Sequence, residues 1–574
     1  MGQSRWRWIE PEPLPLDAPR LHSDPLLNAL LYRRQLRTPD EVADFLARHP
    51  RPAPDPWRLP AMRAAVDRIM LAIERGEHIA IFGDYDVDGV TSTALLTLAL
   101  RAAMPEEARL FSRLPRREEG YGLNARAIEE FARSGVSLLI TVDCGSTDPY
   151  HVALAREAGL DVVVLDHHHI SDRVPDGATI VSSYVAEGLP YRELSAVGLA
   201  YLLVTALAQE GVAVGGPTGE PETGLLDLVA LGTVADVAPL TGVNRALVRD
   251  GLSRIQRAPR PGIAALCRQA GVDPSRVTSE QIAYRLAPRL NAAGRMADPH
   301  HALRLLLTND PIEAAELATL IDRLNQERRQ RAQAVAEEAI ASVAAQPGWE
   351  ERRIVIARGQ GWPHGVLGLV ATRLVEEFRR PAIVLAEEEG VGRGSARSLA
   401  GINIIEAIER CSDLLTEWGG HSLAAGLTLP ISSLPALAEA LDAHLASAGV
   451  SVPVEPELRL EADLPIERLT LETALMLDDL QPFGAGNEAP VLRLRGVPLR
   501  QYDVVGQNNN HLRLYLRTPR GIVRAVAFGA AQRSRELLFS RTLDLAVTLN
   551  LDYWDGQQRL DVNVKDFRPS NGIS

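Results

Sequence analysis

The chemically loaded residues of this chain stand at the ends of short apolar runs. Asp84, Asp86 and Asp88 follow IAIF in the segment GDYDVDG, and Asp143 follows SLLITV. Asp166, His167, His168 and His169 follow DVVVL, and Asp236 closes LLDLVALGTVADV. Taken singly, an Asp after a strand reads as the N-cap of the next helix, and a His triplet reads as a solvated turn. GDYDVDG also opens like a calcium-binding loop, but no Glu follows at the twelfth position and the flank is a strand, which excludes that motif. Taken together, carboxylates this dense repel one another unless cations neutralise them. Oxygen and imidazole ligands without thiolate suit manganese or magnesium, and mixed Asp and His sets fit manganese best. There are ligands enough for two ions sharing one bridging carboxylate. Two metals about 3.5 to 4 Å apart activate a water and stabilise the attacking and leaving oxygens of a phosphoryl displacement. The residues therefore point to a two-metal phosphoesterase.

Such a site needs strands to aim the carboxylates. From about 60 to 310, the runs at 79–82, 137–142 and 161–165 alternate with segments of helical period, which predicts a parallel sheet covered by helices, with ligands beyond the carboxyl ends of its strands. Leu317, Leu320, Ile321, Leu324 and Val335 mark one long amphipathic helix over 312–345, about 50 Å long at ~1.5 Å per residue. A second α/β pattern follows from 352 to about 448. The alternating strands HLRLYLR, IVRAVAFG, LDLAVTLNLDYW and QRLDVNVKDF then predict a small barrel of the OB type.

The 574 residues suffice for several domains, and 46% hydrophobic with 24% charged residues is ordinary globular composition. No apolar run is long enough for a membrane helix and the start MGQSRWRWIEPEP has no secretory signal character, so a cytoplasmic protein is expected. Cys144, Cys267 and Cys411 are too few and too scattered for a disulfide framework or a metal knuckle. The net charge of -13 excludes indiscriminate binding to nucleic acid, not a local basic groove. Of the 61 basic residues only Lys565 is lysine, so anions are gripped by planar guanidinium forks.

GDYDVDG, TVDCGS, the Asp-His-His run and GTVADV, in this order, resemble the signature motifs of the DHH phosphoesterase superfamily. PRREEGYGLN (115–124), APRLNAAGRM (287–296), GWPHGVLGLVATRL (361–374), GSARS (394–398) and GGHSLAAGL (419–427) resemble those of the RecJ family of bacterial single-stranded-DNA-specific exonucleases. The resemblance covers about residues 60 to 574. It implies a multidomain α/β chain: an N-terminal appendage (1–55), a DHH phosphoesterase domain with a parallel sheet (56–311), a connecting helix (312–348), a DHH-associated α/β domain (349–450) and an OB-like nucleic-acid-binding barrel (451–574). It implies that Asp86, Asp88, Asp143, His167 and Asp236 ligate two manganese or magnesium ions with Asp143 bridging, that Asp84 completes the site, and that His168 faces the scissile phosphate. Where many relatives carry a His two positions before Asp84, this chain has Phe82.

By the same resemblance, Ser395 and Arg397 hold a terminal 5′-phosphate together with Arg116, chosen over Arg117 for its place before the GYG turn. Read from the residues alone, GSARS is a Gly-rich anion-binding turn and GGHSLAAG is equally a helix-packing turn. His421, Arg289, Asn291 and Arg295 are strand-binding candidates. In 485–574, 13 basic residues face 8 acidic ones, and Tyr502, Tyr515, Phe528, Tyr553 and Trp554 interleave with that charge, a pattern of base-stacking platforms. About half of such aromatics belong to a barrel core, and Phe528 is expected there. The implied activity is 5′-to-3′ exonucleolytic hydrolysis of single-stranded DNA to 5′-mononucleotides in repair and recombination, by a monomer whose partners include a helicase and a single-stranded-DNA-binding protein. Two rivals stand beside it: a phosphodiesterase of short oligonucleotides or cyclic dinucleotides, which would lack the barrel, and a silent DNA-binding scaffold, which would have lost its acids.

Overall fold

A computed structural model of the chain describes residues 6–47, 54–105, 108–170, 174–185, 187–189, 191–215, 222–506, 508–554 and 557–570. The N-terminal segment holds β1 (Arg7–Ile9), α1 (Pro25–Arg33) and α2 (Pro39–Leu46). After α3 (Met62–Glu74) comes β2 (His78–Gly83), then α4 (Val87–Ala103), β3 (Leu110–Arg113), α5 (Ala125–Arg133), β4 (Val136–Val142), α6 (Pro149–Glu157), β5 (Asp161–Leu165) and β6 (Thr179–Val181). These five strands form a fully parallel sheet in the order β3-β2-β4-β5-β6. β2, β4 and β5 are almost wholly apolar because helices cover both faces: α3, α4 and the very apolar α7 (Ala196–Gln209) on one, α5 and α6 on the other. Phe82 is buried on the second face among Leu123, Leu139 and Cys144.

The run ending at Asp236 is not a strand but the buried helix α8 (Leu226–Ala235), of which Asp236 is the C-cap. Its continuous apolarity belongs to a helix packed on α4, α7 and α9 (Gly242–Arg257). Helix α10 (Pro261–Ala270) follows. α11 (Ser279–Gln281) then runs through a π-turn at Ile282–Leu286 into α12 (Ala287–Met296). After α13 (His300–Leu307), the 34-residue α14 (Pro311–Ala344) leaves the first core through Leu317 and Ile321 and enters a second through Val335 and Ala339.

The second sheet contains β7 (Val355–Gln360), β8 (Ala382–Glu388), β9 (Val391–Arg397), β10 (Glu417–His421) and β11 (Ala424–Pro430), in the order β10-β11-β9-β8-β7, with only β7 and β8 parallel. Helix α15 (His364–Phe378) packs on one face, and α16 (Ile404–Glu409) with α17 (Leu434–Ser447) on the other. GSARS is therefore no turn. It is part of β9, and GGHSLAAG is the β10–β11 hairpin. Glycines that look like turn formers lie in strands here because neighbouring backbones approach closely.

The C-terminal domain begins with β12 (Glu457–Arg459), β13 (Ala462–Asp463) and α18 (Leu471–Asp478). A closed five-strand barrel follows, from β14 (Leu492–Val505), β15 (His511–Thr518), β16 (Gly521–Ala527), β17 (Thr542–Trp554) and β18 (Gln557–Pro569), with the short α19 (Ser534–Leu537) between β16 and β17. β14 and β17 pair to close it. The N-terminal segment is built into this domain. β1 pairs in parallel with β12, and Leu26, Leu27, Leu30 and Leu31 share a core with Leu480, Leu494 and Leu545. The buried Asp566 accepts hydrogen bonds from Trp8 Nε1 (2.7 Å) and Arg533 (2.5 Å). Arg245 of α9 ties this unit to the first domain, donating to the carbonyls of Phe45 (3.1 Å), Gln481 (2.7 Å) and Pro482 (3.3 Å).

Candidate metal centre and anion pocket

The parallel sheet delivers the acids as its topology requires. Asp84 and Asp86 follow β2, Asp143 follows β4 and Asp166 follows β5, all beyond the carboxyl edge. The bland reading is also partly true. Asp86 is the N-cap of α4, accepting from Gly89 N (3.1 Å). Asp88, in the first turn of α4, accepts from Ala196 N (2.7 Å) and Val197 N (3.0 Å) at the start of α7. These bonds fix the carboxylates and leave lone pairs facing the cleft.

Ligand atoms gather in three sets, each within 4.8 Å: Asp84, Asp86 and Asp143; Asp88, His167 and Asp236; and Asp143, His167 and His168. The first two sets share no residue. His167 Nε2 lies 3.2 Å from Asp143 Oδ1, 3.8 Å from Asp236 and 3.9 Å from Asp88. Asp84 Oδ1, Asp143 Oδ1 and His167 Nε2 are buried without a hydrogen-bond partner. Buried polar atoms left orphaned at this density fit divalent cations of oxygen and nitrogen preference. Burial, reinforced by the neighbouring aspartates, drives the carboxyl pKa values of Asp84 and Asp143 well up, that of Asp88 to about 7 and that of Asp236 to about 9. Burial and the adjacent His168 lower His167 to about 4, so its imidazole is neutral and able to ligate.

His168 differs. Although burial opposes it, the bond from its Nδ1 to Asp166 Oδ1 (2.7 Å) raises its pKa to about 9. Asp166 is held below the usual carboxylate range despite burial, by His168 and by Ser146, whose N and Oγ donate at 3.0 and 2.5 Å. Asp166 stands among the loaded strand-end acids of the sequence, but without a role of its own there. Its anchor is Ser146, which a strand-end acid beside TVDCGS could have suggested. Tyr121 was also missed: its hydroxyl donates to the Asp143 carbonyl (3.1 Å) and its ring meets His168 edge-on. His169 turns away and packs on Tyr184.

The second domain supplies the opposite wall. Alternate residues of a strand share a face, so the register puts Ser395, Arg397 and His421 on one side of the sheet. The His421 ring stacks on His168 with centroids 6.0 Å apart. Arg295, half-buried on α12, donates to the Gly365 carbonyl of α15 (3.1 Å). Its pKa falls to about 10, through burial first and then through Arg117, Arg328 and Arg397. Arg117 lies over the Tyr85 ring at 4.5 Å, and the Nε atoms of Arg117 and Arg328 are buried without an acceptor. Among the described residues none of these four guanidinium groups pairs with a carboxylate. Desolvated cations without counter-ions make an anion pocket.

Arg117, not Arg116, reaches this pocket. Arg116 is 62% exposed in its side chain and pairs with Asp298 (3.1 Å). Arg289 is engaged by Asp322 of α14 (2.8 Å), a link between helices, and Asn291 is half-buried on α12. In the barrel, Tyr515 donates to Asp503 (2.9 Å) and Tyr502 packs against the core. Phe528 lies outside the core, 61% exposed just past the end of β16, with its ring against His511. Tyr553 carries Arg276 over its ring at 4.0 Å, and the Trp554 side chain lies outside the described residues.

Three family models match in chain order: the DHH family, N-terminal domain (78–233), the DHHA1 domain (351–447) and the RecJ OB domain (460–566). The single-stranded-DNA-specific exonuclease RecJ of Bacillus subtilis is 35% identical over 95% of this chain and 68% of its own length. The crystal structure of RecJ with Mn2+ from Thermus thermophilus superposes with a TM-score of 0.82 at 30% identity, over 99% of this chain and 80% of that one. The same enzyme with Mg2+ superposes with a TM-score of 0.76 at 29% identity and the same coverage. With its acidic cage, its facing arginine pocket and its barrel in one chain, the protein belongs to the RecJ exonuclease family.

Proposed function

We propose that the chain is a manganese- or magnesium-dependent exonuclease that hydrolyses single-stranded DNA from its 5′ end and releases 5′-mononucleotides. The observation that carries the polarity is the carboxylate-free cluster of Arg117, Arg295, Arg328 and Arg397 beside the metal cage. A terminal phosphate carries more charge than a diester and fits such a cluster best, with Ser395 as a further donor. A chain end seated there leaves its first phosphodiester near His168 and the carboxylates.

Asp84, Asp86, Asp88, Asp143, His167 and Asp236 would hold two divalent ions, with Asp143 between them. The ions supply the Lewis acidity that makes a water nucleophilic and offsets charge on the phosphoryl oxygens. The ionised Asp166 accepts the Nδ1–H hydrogen bond of His168, which leaves Nε2–H as the donor to a non-bridging oxygen of the scissile phosphate. His421 closes the cleft over that ring. Arg295 and Arg397 orient the chain end, and Tyr515, on the face of β15 opposite the buried Leu514, is the barrel aromatic left to stack a base without readout, since Tyr502 packs against the core.

Family resemblance adds DNA repair and recombination as the setting, a helicase and a single-stranded-DNA-binding protein as partners, a cytoplasmic location and a monomeric state. No helix of the described residues is long and apolar enough to cross a membrane. The closed barrel favours long strands over the short-oligonucleotide alternative. The test is a single strand labelled at one end or the other, with Mn2+ or Mg2+ added. Release of labelled mononucleotide at once from the 5′ end, and late from the 3′ end, is expected. Early release from the 3′ end would overturn the polarity.

A further inference from the structure

Asp143 is one of few non-glycine residues in the left-handed region, with φ of 61°. That conformation costs free energy and persists only where surrounding groups fix it. It is what turns the Asp143 carboxylate from the end of β4 into the cage. Both backbone polar groups of the residue are pinned: its N–H donates to the Leu165 carbonyl of β5 (3.0 Å), and its own carbonyl accepts from Tyr121 Oη (3.1 Å). The first bond belongs to the sheet. The second comes from a loop 22 residues away in sequence.

That loop is shaped for the contact. Gly120 and Gly122 flank Tyr121 with φ of 89° and 80°, and a Cβ on Gly120 would meet nothing within 4 Å, so backbone conformation alone demands glycine there. Tyr121 is 53% exposed as a residue and packs into no hydrophobic core, so its placement is not explained by burial. Its hydroxyl sits 3.4 Å from both ring nitrogens of His168 and its ring meets that imidazole edge-on, so it braces the ring that Asp166 anchors through Nδ1.

We propose that Tyr121 is a positioning residue, its hydroxyl locking the left-handed turn at Asp143 and the ring of His168 so that the metal cage and its neighbouring donor are set before substrate arrives. It acts through Asp143 and His168 and touches no reacting atom. The inference rests on the metal-centre reading above.

The test compares the full-length protein with Tyr121→Phe, which keeps the ring and removes the hydroxyl, and with Asp143→Asn. Mn2+ affinity is read from the free-ion signal by electron paramagnetic resonance, and turnover on a 5′-phosphorylated single strand gives kcat and KM separately. For Tyr121→Phe, we expect Mn2+ affinity and kcat each to fall about three- to tenfold, the worth of one hydrogen bond, with KM within about twofold and an unchanged melting temperature. Asp143→Asn should lose at least one Mn2+. If Tyr121→Phe binds Mn2+ and turns over like the wild type while Asp143→Asn loses metal, the positioning role falls and the metal centre stands. A rise in KM with kcat and metal affinity unchanged would make Tyr121 a substrate contact and also overturn the proposal. If Asp143→Asn keeps both ions, the metal-centre reading fails first.

Discussion

The imidazole planes of His168 and His421 lie 14° from parallel with centroids 6.0 Å apart. One ring follows β5 of the parallel sheet and the other ends β10 of the mixed sheet, about 250 residues later, so the chemical site is completed only where two domains meet. His421→Ala should lower kcat/KM about 10- to 100-fold, as expected for a lost contact to a charged group, while Mn2+ binding stays unchanged. Steady-state kinetics with metal titration decides it.

Asp143 belongs to two of the three ligand sets. Asp143→Ala should reduce hydrolysis roughly 10³-fold or more, because both ions lose a shared anchor. The fold should survive, since a carboxylate that burial and repulsion disfavour is being removed. Circular dichroism and single-turnover assays should show an intact protein without turnover.

The anion pocket separates two neighbouring arginines. Arg117→Ala and Arg397→Ala should each reduce the preference for 5′-phosphorylated over 5′-hydroxyl strands about tenfold or more, the loss of a charge-assisted contact. Arg116→Ala should leave that preference within about twofold, because its partner is Asp298. Competition between the two kinds of strand end gives the ratio directly.

Metal-free protein should lose stability as pH rises. Asp88 and Asp236 have folded-state pKa values raised to about 7 and about 9 from an ordinary 3.8. Their contribution is fully present below the unfolded value and is lost as pH passes the folded ones. Mn2+ replaces the missing protons, so the rise in melting temperature on adding Mn2+ should grow from pH 6 to pH 9. A rise independent of pH would contradict the placement of these acids.

Arg245 holds three carbonyls without a counter-ion among the described residues, and burial lowers its pKa to about 9. Arg245→Ala leaves those carbonyls unpaired and should cost about 2–4 kcal/mol. The loss should fall on the docking of the barrel and N-terminal segment, seen as an earlier calorimetric transition and faster proteolysis between residues 450 and 490.

The three central strands of the parallel sheet were legible because each is a buried apolar run between helices. The edge strands β3 and β6 were not, being three or four residues long, and β3 is only partly buried. The acids were legible as a group, since strand ends collect ligands whatever the details. Asp166 was not separable from its neighbours, because its role depends on Ser146 reaching it from another loop. Arg117 and Arg116 are adjacent and identical in type, and nothing in the local sequence separates the one that lies over Tyr85 from the one that pairs with Asp298. Arg328 lies on a helix whose pattern reads as a solvated face, and the packing of α12 and α15 against it is invisible in a local window. Phe528 is apolar, but in the alternation of β16 it falls on the face of Ile522 and Arg524, opposite the buried Ala525 and Ala527, and so lies outside the core.

The pairing of β1 with β12 joins residues 450 positions apart. A ribosome adding ~5–20 residues per second needs about 20–90 s to go from one to the other. During that interval Trp8, Leu26, Leu30 and Leu31 have no barrel to cover them. The N-terminal segment is thus folded only once the barrel has been made, and until then its apolar side chains wait in the open as a natural client of chaperones.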